Sequence, residues 1–359
     1  MTKTDRTAGR ADSGIFAVCA MRVSLTVLLA VTLAGCSHTL EEPQDNPVHE
    51  LTLSCIVSRV TKGYLTGTVL EETPSDQLHA ASKTPSPRDI RISAWLHPQT
   101  GEESAYFTDN VFRRSADGYW HNCVGGIEAP IFWPVGGDLD FLAYSVSSTS
   151  SLTSKAVWDA VNNASRVSIP IASGDCLQDD IVFSSAYRKS VSHGDEPVSD
   201  GRLTMQFHHS QAWIEFNLST SVDGGDGGDP AVTVTGLVLE NIYTSGDLTI
   251  HNDGGDATCS WSFRTASASD MTVVGTPLGL AATPTSFDFL LPEQKRTAFT
   301  LSYRLGETEK VFVKHVELPH STWLMGYKYI YDITFKASEL TISPSCEVWN
   351  GNEEYNVEL

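Results

Sequence analysis

Tyr327-Lys328-Tyr329-Ile330-Tyr331-Asp332-Ile333-Thr334-Phe335 decides the fold. Large apolar or aromatic side chains stand at 327, 329, 331, 333 and 335, with Lys328, Asp332 and Thr334 among those between them. A period of two sends alternate side chains to opposite faces, so the stretch is a long strand with one buried face. The pattern repeats upstream in Leu203, Met205 and Phe207, and in Ala212, Ile214, Phe216 and Leu218. Residues 232–239, 248–251, 286–291, 298–305 and 311–318 read as further strands, and 340–348 and 355–359 close the chain.

The first half has the same style. Leu51, Leu53, Cys55 and Val57 alternate in a first strand, with Arg59 at its end. Ile90, Ile92, Ala94 and Leu96 follow, with Trp95 on the other face. Residues 106–112 and 119–123 flank the turn Asp117-Gly118. Ile131-Phe132-Trp133 runs to Pro134, and Gly136-Gly137-Asp138 turns the chain into 139–146. Val167, Ile169 and Ile171, then Ile181-Val182-Phe183, resume strand. Residues 155–163 form the one stretch that reads as a short helix. The polar segment 190–201 carries Gly194 and Pro197 and no apolar repeat. Many short strands, Gly/Pro turns and almost no helix specify an all-β chain of antiparallel β-sandwiches. Two fit in series: 51–189, a linker at 190–201, and 202–359.

The start of the chain has a different chemistry. Val23 to Thr32 is apolar and uncharged, Arg22 precedes it, and Leu33-Ala34-Gly35-Cys36 follows. A positive residue, a short apolar run and small residues before a cysteine form a lipoprotein-type secretory signal. The run is too short for the ~20 residues that span a bilayer. Residues 1–35 are then a signal peptide, Cys36 is the lipidation site, and 36–50 is a polar tether. Met21 begins a complete signal by itself, so the working start is expected there. The acidic pair Glu41-Glu42 resembles surface-export signals of Bacteroidetes lipoproteins, and equally suits a solvated linker.

Removal of 35 residues leaves 324, enough for two ordinary cores. The formal charge of the whole chain is −20. That excess of acid argues against nucleic acid as a partner, because phosphate binding needs clustered Lys and Arg. Beyond Cys19 and Cys36, the cysteines are Cys55, Cys123, Cys176, Cys259 and Cys346. They are widely spaced, with no CxxC, so neither a disulfide framework nor structural zinc is indicated, though one bridge is compatible with the compartment.

No catalytic constellation emerges, and no cofactor or metal is implied. Asp138, Asp140 and Glu293 show no pairing of the kind glycoside hydrolysis needs. His208 and His209 are adjacent on a strand and point to opposite faces. Asp223, Asp226 and Asp229 lie in a glycine-rich run without EF-hand spacing. The eight tryptophans are mostly core, with a sugar-stacking platform as the other use of such side chains.

Several segments in order resemble the fimbrillin-like lipoproteins, subunits of the type V pili of Bacteroidia. They are Tyr119-Trp120, Ile131-Phe132-Trp133-Pro134, Leu139-Asp140-Phe141-Leu142-Ala143-Tyr144 and Asp180-Ile181-Val182-Phe183. Leu203-Thr204-Met205-Gln206-Phe207-His208-His209, Leu290-Leu291-Pro292-Glu293-Gln294, and Trp323-Leu324-Met325-Gly326 before Tyr329 and Tyr331 complete the set. The resemblance covers about 51–349. It implies two transthyretin-like sandwiches, export to the outer membrane surface, and adhesion as a non-enzymatic fimbrial subunit. It also implies removal of the first strand by an Arg-specific protease, with Arg59 at the matching point, and replacement by a strand from another subunit. Arg59 equally suits an ordinary strand end, with Arg88 and Arg91 near. The candidate donor strands are 340–348 and 355–359; if the last only completes its own domain, the chain suits a tip or anchor position. A host or bacterial surface ligand fits this role. The alternative is a monomeric glycan-binding lipoprotein of the outer membrane, with exposed aromatics and an uncut first strand.

Overall fold

In a computed structural model of the chain, the residues described are 49–59, 66–69, 88–147, 152–159, 164–191, 198–221, 231–252, 254, 257–264, 268–295, 298–318, 322–336, 340–348 and 354–355. The expected signal, Cys36 and the tether as far as residue 48 lie outside them. Pro47–Leu359 forms one compact unit.

The strands run β1 (Thr52–Arg59), β2 (Thr66–Val69), β3 (Arg88–Pro98), β4 (Ser104–Arg114), β5 (Trp120–Val124), β6 (Ile127–Glu128), β7 (Gly137–Ser147), β8 (Lys155–Asp159) and β9 (Ala164–Ile171). A six-residue helix, α1 (Ser173–Gln178), precedes β10 (Val182–Lys189), β11 (Arg202–His209), β12 (Gln211–Thr220), β13 (Val232–Ile242), β14 (Gly246–Asn252), β15 (Thr258–Ser262) and β16 (Ser269–Val274). The remainder are β17 (Leu278–Gly279), β18 (Thr285–Pro292), β19 (Ala298–Leu305), β20 (Phe312–Glu317), β21 (Tyr327–Phe335), β22 (Leu340–Val348) and β23 (Glu354–Tyr355).

Nine strands form the largest sheet, in the order β2-β1-β11-β10-β7-β3-β4-β5-β6, and β1 also meets β5. The sheet therefore curls until β1 and β5 touch, at Leu53 and Trp120. Its concave side encloses a core that includes Leu51, Leu53, Ile92, Phe112, Phe141 and Phe207. Its other face carries Trp95, Leu142 and Tyr144 against Ile169, Leu248 and Ile250 of a four-stranded sheet, β15-β14-β9-β8. Two five-stranded sheets share the third core: β18-β12-β21-β22-β23 and β16-β13-β19-β20. Along β21, Tyr329, Tyr331, Ile333 and Phe335 are buried and Asp332 is exposed, as the period of two requires. Phe216 of β12 lies 4.9 Å from the Tyr331 ring and 5.6 Å from Phe299 across the sandwich.

The chain is an all-β sandwich fold of mainly antiparallel sheets, as expected, and two neighbouring pairs within it, β1–β11 and β12–β21, are parallel. Two other expectations change. The proposed boundary at 190–201 does not separate the sheets. β11 lies beyond it yet sits between β1 and β10, and β14 pairs along its length with β9. Alternation states which face of a strand is buried and is silent on its neighbours. Lys155–Asp159 is strand, not helix. It pairs with β9, where Val157 and Trp158 suit a half-buried sheet surface better than a helix. Among the described residues the helix is α1 instead, with Cys176 buried.

Phe216→Ala should lower stability by about 3–5 kcal/mol, because the ring stacks on neighbours that cannot collapse into its volume. Urea unfolding with an unchanged slope would show this.

Candidate functional site

The first strand is the element that the resemblance marks for exchange. β1 runs parallel to β11, with Thr52–Val57 against Arg202–Phe207. On its other flank, Ile56–Arg59 pairs antiparallel with β2, so the segment 60–65 joins two adjacent strands. Leu51, Leu53 and Cys55 are at most 1 % exposed. Burial pushes the Cys55 thiol well above its usual range, so it acts as a small apolar side chain.

The beginning of β1 is held by a clasp built from loops. Leu51 N donates to Ile131 O at 2.8 Å, and Trp133 N donates to His49 O at 3.0 Å. The buried Trp133 indole N–H donates to Gly201 O at 2.9 Å. Gly201 has φ +74, and a Cβ there would run into the Glu50 carbonyl oxygen. Only glycine combines that left-handed backbone with so close an approach. His121 completes the clasp. Its Nδ1 is 3.0 Å from Glu50 Oε1, and its Nε2 is 2.9 Å from Asp117 Oδ2. Burial of the ring works against its charge, but hydrogen bonds to Glu50 and Asp117 outweigh that and raise its pKa.

Arg59 is the last residue of β1, and its backbone pairs with Thr66. Its side chain lies outside the described residues, as does Cys36. The candidate donor 340–348 is β22, paired with β21 over its full length, and Tyr355 of β23 pairs back onto Cys346. Residues 356–359 are outside the description.

Other residues singled out from sequence are dispersed. Asp140 is buried against His97 Nε2 at 2.8 Å and accepts from Arg188 N. Glu293 accepts from Met325 N at 3.2 Å. His209 Nδ1 lies 3.0 Å from buried Asp180, while His208 faces the other way, 5.9 Å from the Phe183 ring. Among the described residues no cluster of His, Cys, Asp or Glu could hold a metal ion, and Cys55, Cys123, Cys176 and Cys259 are free thiols. The Asp223/Asp226/Asp229 loop is outside the description. Trp95, Trp120, Trp133 and Trp323 are buried; Trp158, Trp213 and Trp261 are half-buried, and Trp349 is not described. Glu50, His121 and Gly201 escaped the sequence reading. The only hint was the Asp200-Gly201 turn ahead of β11, since Glu50 and His121 stand 71 residues apart.

Two outcomes follow for the clasp. Gly201→Ala should destabilise the fold through both backbone strain and collision with Glu50, read as a lower midpoint in thermal unfolding. His121 gains stability from its charged form, because its folded pKa is raised. That contribution is full below the unfolded value of about 6.5 and is lost as pH rises through the folded pKa. His121→Gln should flatten this part of the stability–pH profile.

The fimbrillin-like family profile matches residues 83–349. No curated protein matches by sequence. Among solved structures, a fimbrial protein from Bacteroides vulgatus aligns with TM-score 0.51 at 17 % identity, over 84 % of this chain and 99 % of that one. The C-terminally truncated tip fimbrial protein Mfa3 from Porphyromonas gingivalis aligns with TM-score 0.39 at 11 % identity, over 84 % and 100 %. The second likeness is too slight to argue from, and the first supports the fold. With three-quarters of its length inside the profile, the chain belongs to the fimbrillin-like family.

Proposed function

We propose that this fimbrial subunit is carried to the outer membrane surface on a lipid at Cys36 and assembles by strand exchange after cleavage at Arg59. The observation that carries the reading is the placement of β1. It is a short strand at the chain's start, buried through Leu51, Leu53 and Cys55, and followed directly by 60–65. Loss of 36–59 would bare the β11 edge from Arg202 to Phe207 and the apolar interior behind it. A strand from another subunit would supply the missing hydrogen bonds, with alternate side chains filling the vacated pockets. The fully paired β22 and the return of β23 favour a tip or anchor position, since neither strand is held apart as a donor.

Mass spectrometry of the surface-exposed protein should find an N-terminus at Val60, and Arg59→Ala should abolish that terminus and the polymer together. Surface protein that retains an acylated Cys36 throughout while still entering fimbriae would refute the exchange route.

A further inference from the structure

Eight large apolar side chains stand exposed among the described residues, and four of them fall within twelve positions: Val124, Ile127, Phe132 and Val135, at 65, 75, 45 and 84 % exposure. The other four, Val157, Val311, Val313 and Leu324, are divided among β8, the residue before β20, β20 itself, and the segment before β21. The cluster surrounds the point where the chain enters the fold. Phe132 forms a bridge with Glu50, and Trp133 N binds His49 O. The antiparallel contact of Leu53 with Trp120 sends β5 toward its Val124 end as β1 is followed back toward His49.

These side chains are displayed on firm supports. Val124 and Ile127 face each other across a hairpin whose Gly125 and Gly126 have φ +61 and +83. That pair of positive angles makes a tight turn that only such residues adopt readily. The Tyr106 hydroxyl donates to Phe132 O at 2.7 Å, while the adjacent Trp133 is buried. Arg113 braces the hairpin: its guanidinium donates to Asp89 at 2.8 and 3.0 Å, and its remaining nitrogen lies 3.7 Å from where a Gly126 Cβ would stand. Exposed apolar tips on a rigid support match the apolar side of the boundary between acyl chains and headgroups.

We infer that in the anchored chain, before any loss of β1, this surface lies against the outer leaflet of the membrane that holds the lipid. The inference rests on the Cys36 anchor proposed above. Twelve residues separate Cys36 from His49, a reach of at most about 45 Å. The anchor therefore holds the end of the fold where the chain enters nearer, on average, to the bilayer than any other part of the fold. An exposed apolar cluster at that end is the one best placed to add a second attachment to the first.

The test places an environment-sensitive fluorophore on the full lipidated chain at Val135→Cys or, as a control, Val313→Cys, in a Cys123→Ser background. The chains are reconstituted in phosphatidylcholine vesicles. Position 135 should shift to the blue, gain intensity severalfold, and be quenched by a nitroxide on the acyl chains. Position 313 should respond only to an aqueous quencher. Val124→Ser/Ile127→Ser should return position 135 toward the aqueous response while the chain still floats with vesicles. A floating chain whose position 135 matches 313 overturns the apposition and leaves the anchor standing. A chain that does not float, with an unmodified Cys36 by mass, overturns the anchor reading and the apposition with it.

Discussion

The closure of the nine-stranded sheet by its own first strand is the constraint on which the rest of the first half depends. Without β1, the β11 and β5 edges would face each other across an open interior. Leu51 and Leu53 are both fully buried there, each stabilising the closed form by about 1.5–3 kcal/mol. The pairing partner comes from 150 residues later in the chain. Closure thus waits on contacts of long range, which cost loop entropy before they return any energy. The clasp at Glu50, Gly201 and Trp133 pins the strand's start where side-chain packing alone would leave its backbone unheld.

A second set of interactions fixes the sheet around that strand. Arg88 on β3 reaches Ser145 Oγ at 3.1 Å, Ser145 O at 2.9 Å, and the Asp180 carbonyl, and it lies 3.6 Å from Asp179. Asp180 in turn holds His209 at the end of β11. A charged group this deep adds little net stability, since its desolvation offsets most of its attraction. It does discriminate, because a slip of any strand would leave a buried charge or carbonyl unpaired. His97, between Asp140 and Glu103 at 2.8 and 2.7 Å, does the same where β3 meets β7.

The strands themselves were plain in the sequence because alternation is a local signal. Residues 298–305 coincide with β19, and the buried face of β21 is the one that the tyrosines mark. What could not be read was adjacency. Nothing in Leu203, Met205 and Phe207 announces that their strand belongs with Leu51 and Leu53 rather than with Ile214 and Phe216, since each set has the same period. Residues 155–163 read as helix from a local window; pairing with β9 overrode that preference. Ile131-Phe132-Trp133 was legible as apolar, but its use in bracing the start of β1 depends on one bridge, made by two backbone hydrogen bonds, and on the indole bond to Gly201.

A strand that closes a sheet from within is chemically equivalent to one supplied from outside. Its hydrogen bonds come from the backbone, which every residue but proline provides alike, and its selectivity comes from side chains at alternate positions. The pocket phase set by Leu51, Leu53 and Cys55 is therefore the specification for a replacement under the proposed exchange: small-to-medium apolar groups two residues apart, with the Leu53 position opposite Leu203 and the Cys55 position opposite Met205. A shift by one residue would turn Thr52 and Ser54 inward and send the apolar set outward. The clasp adds a requirement that the strands alone do not. Gly201 meets the chain before the strand begins, so the space beside it accepts only backbone held at the distance that Glu50 keeps. A replacement strand that ends short of that point would fill the apolar pockets and leave the Trp133 loop without its partner at His49. Under the proposed exchange, the length of the incoming strand would thus be fixed at one end by loop geometry and along its body by alternation.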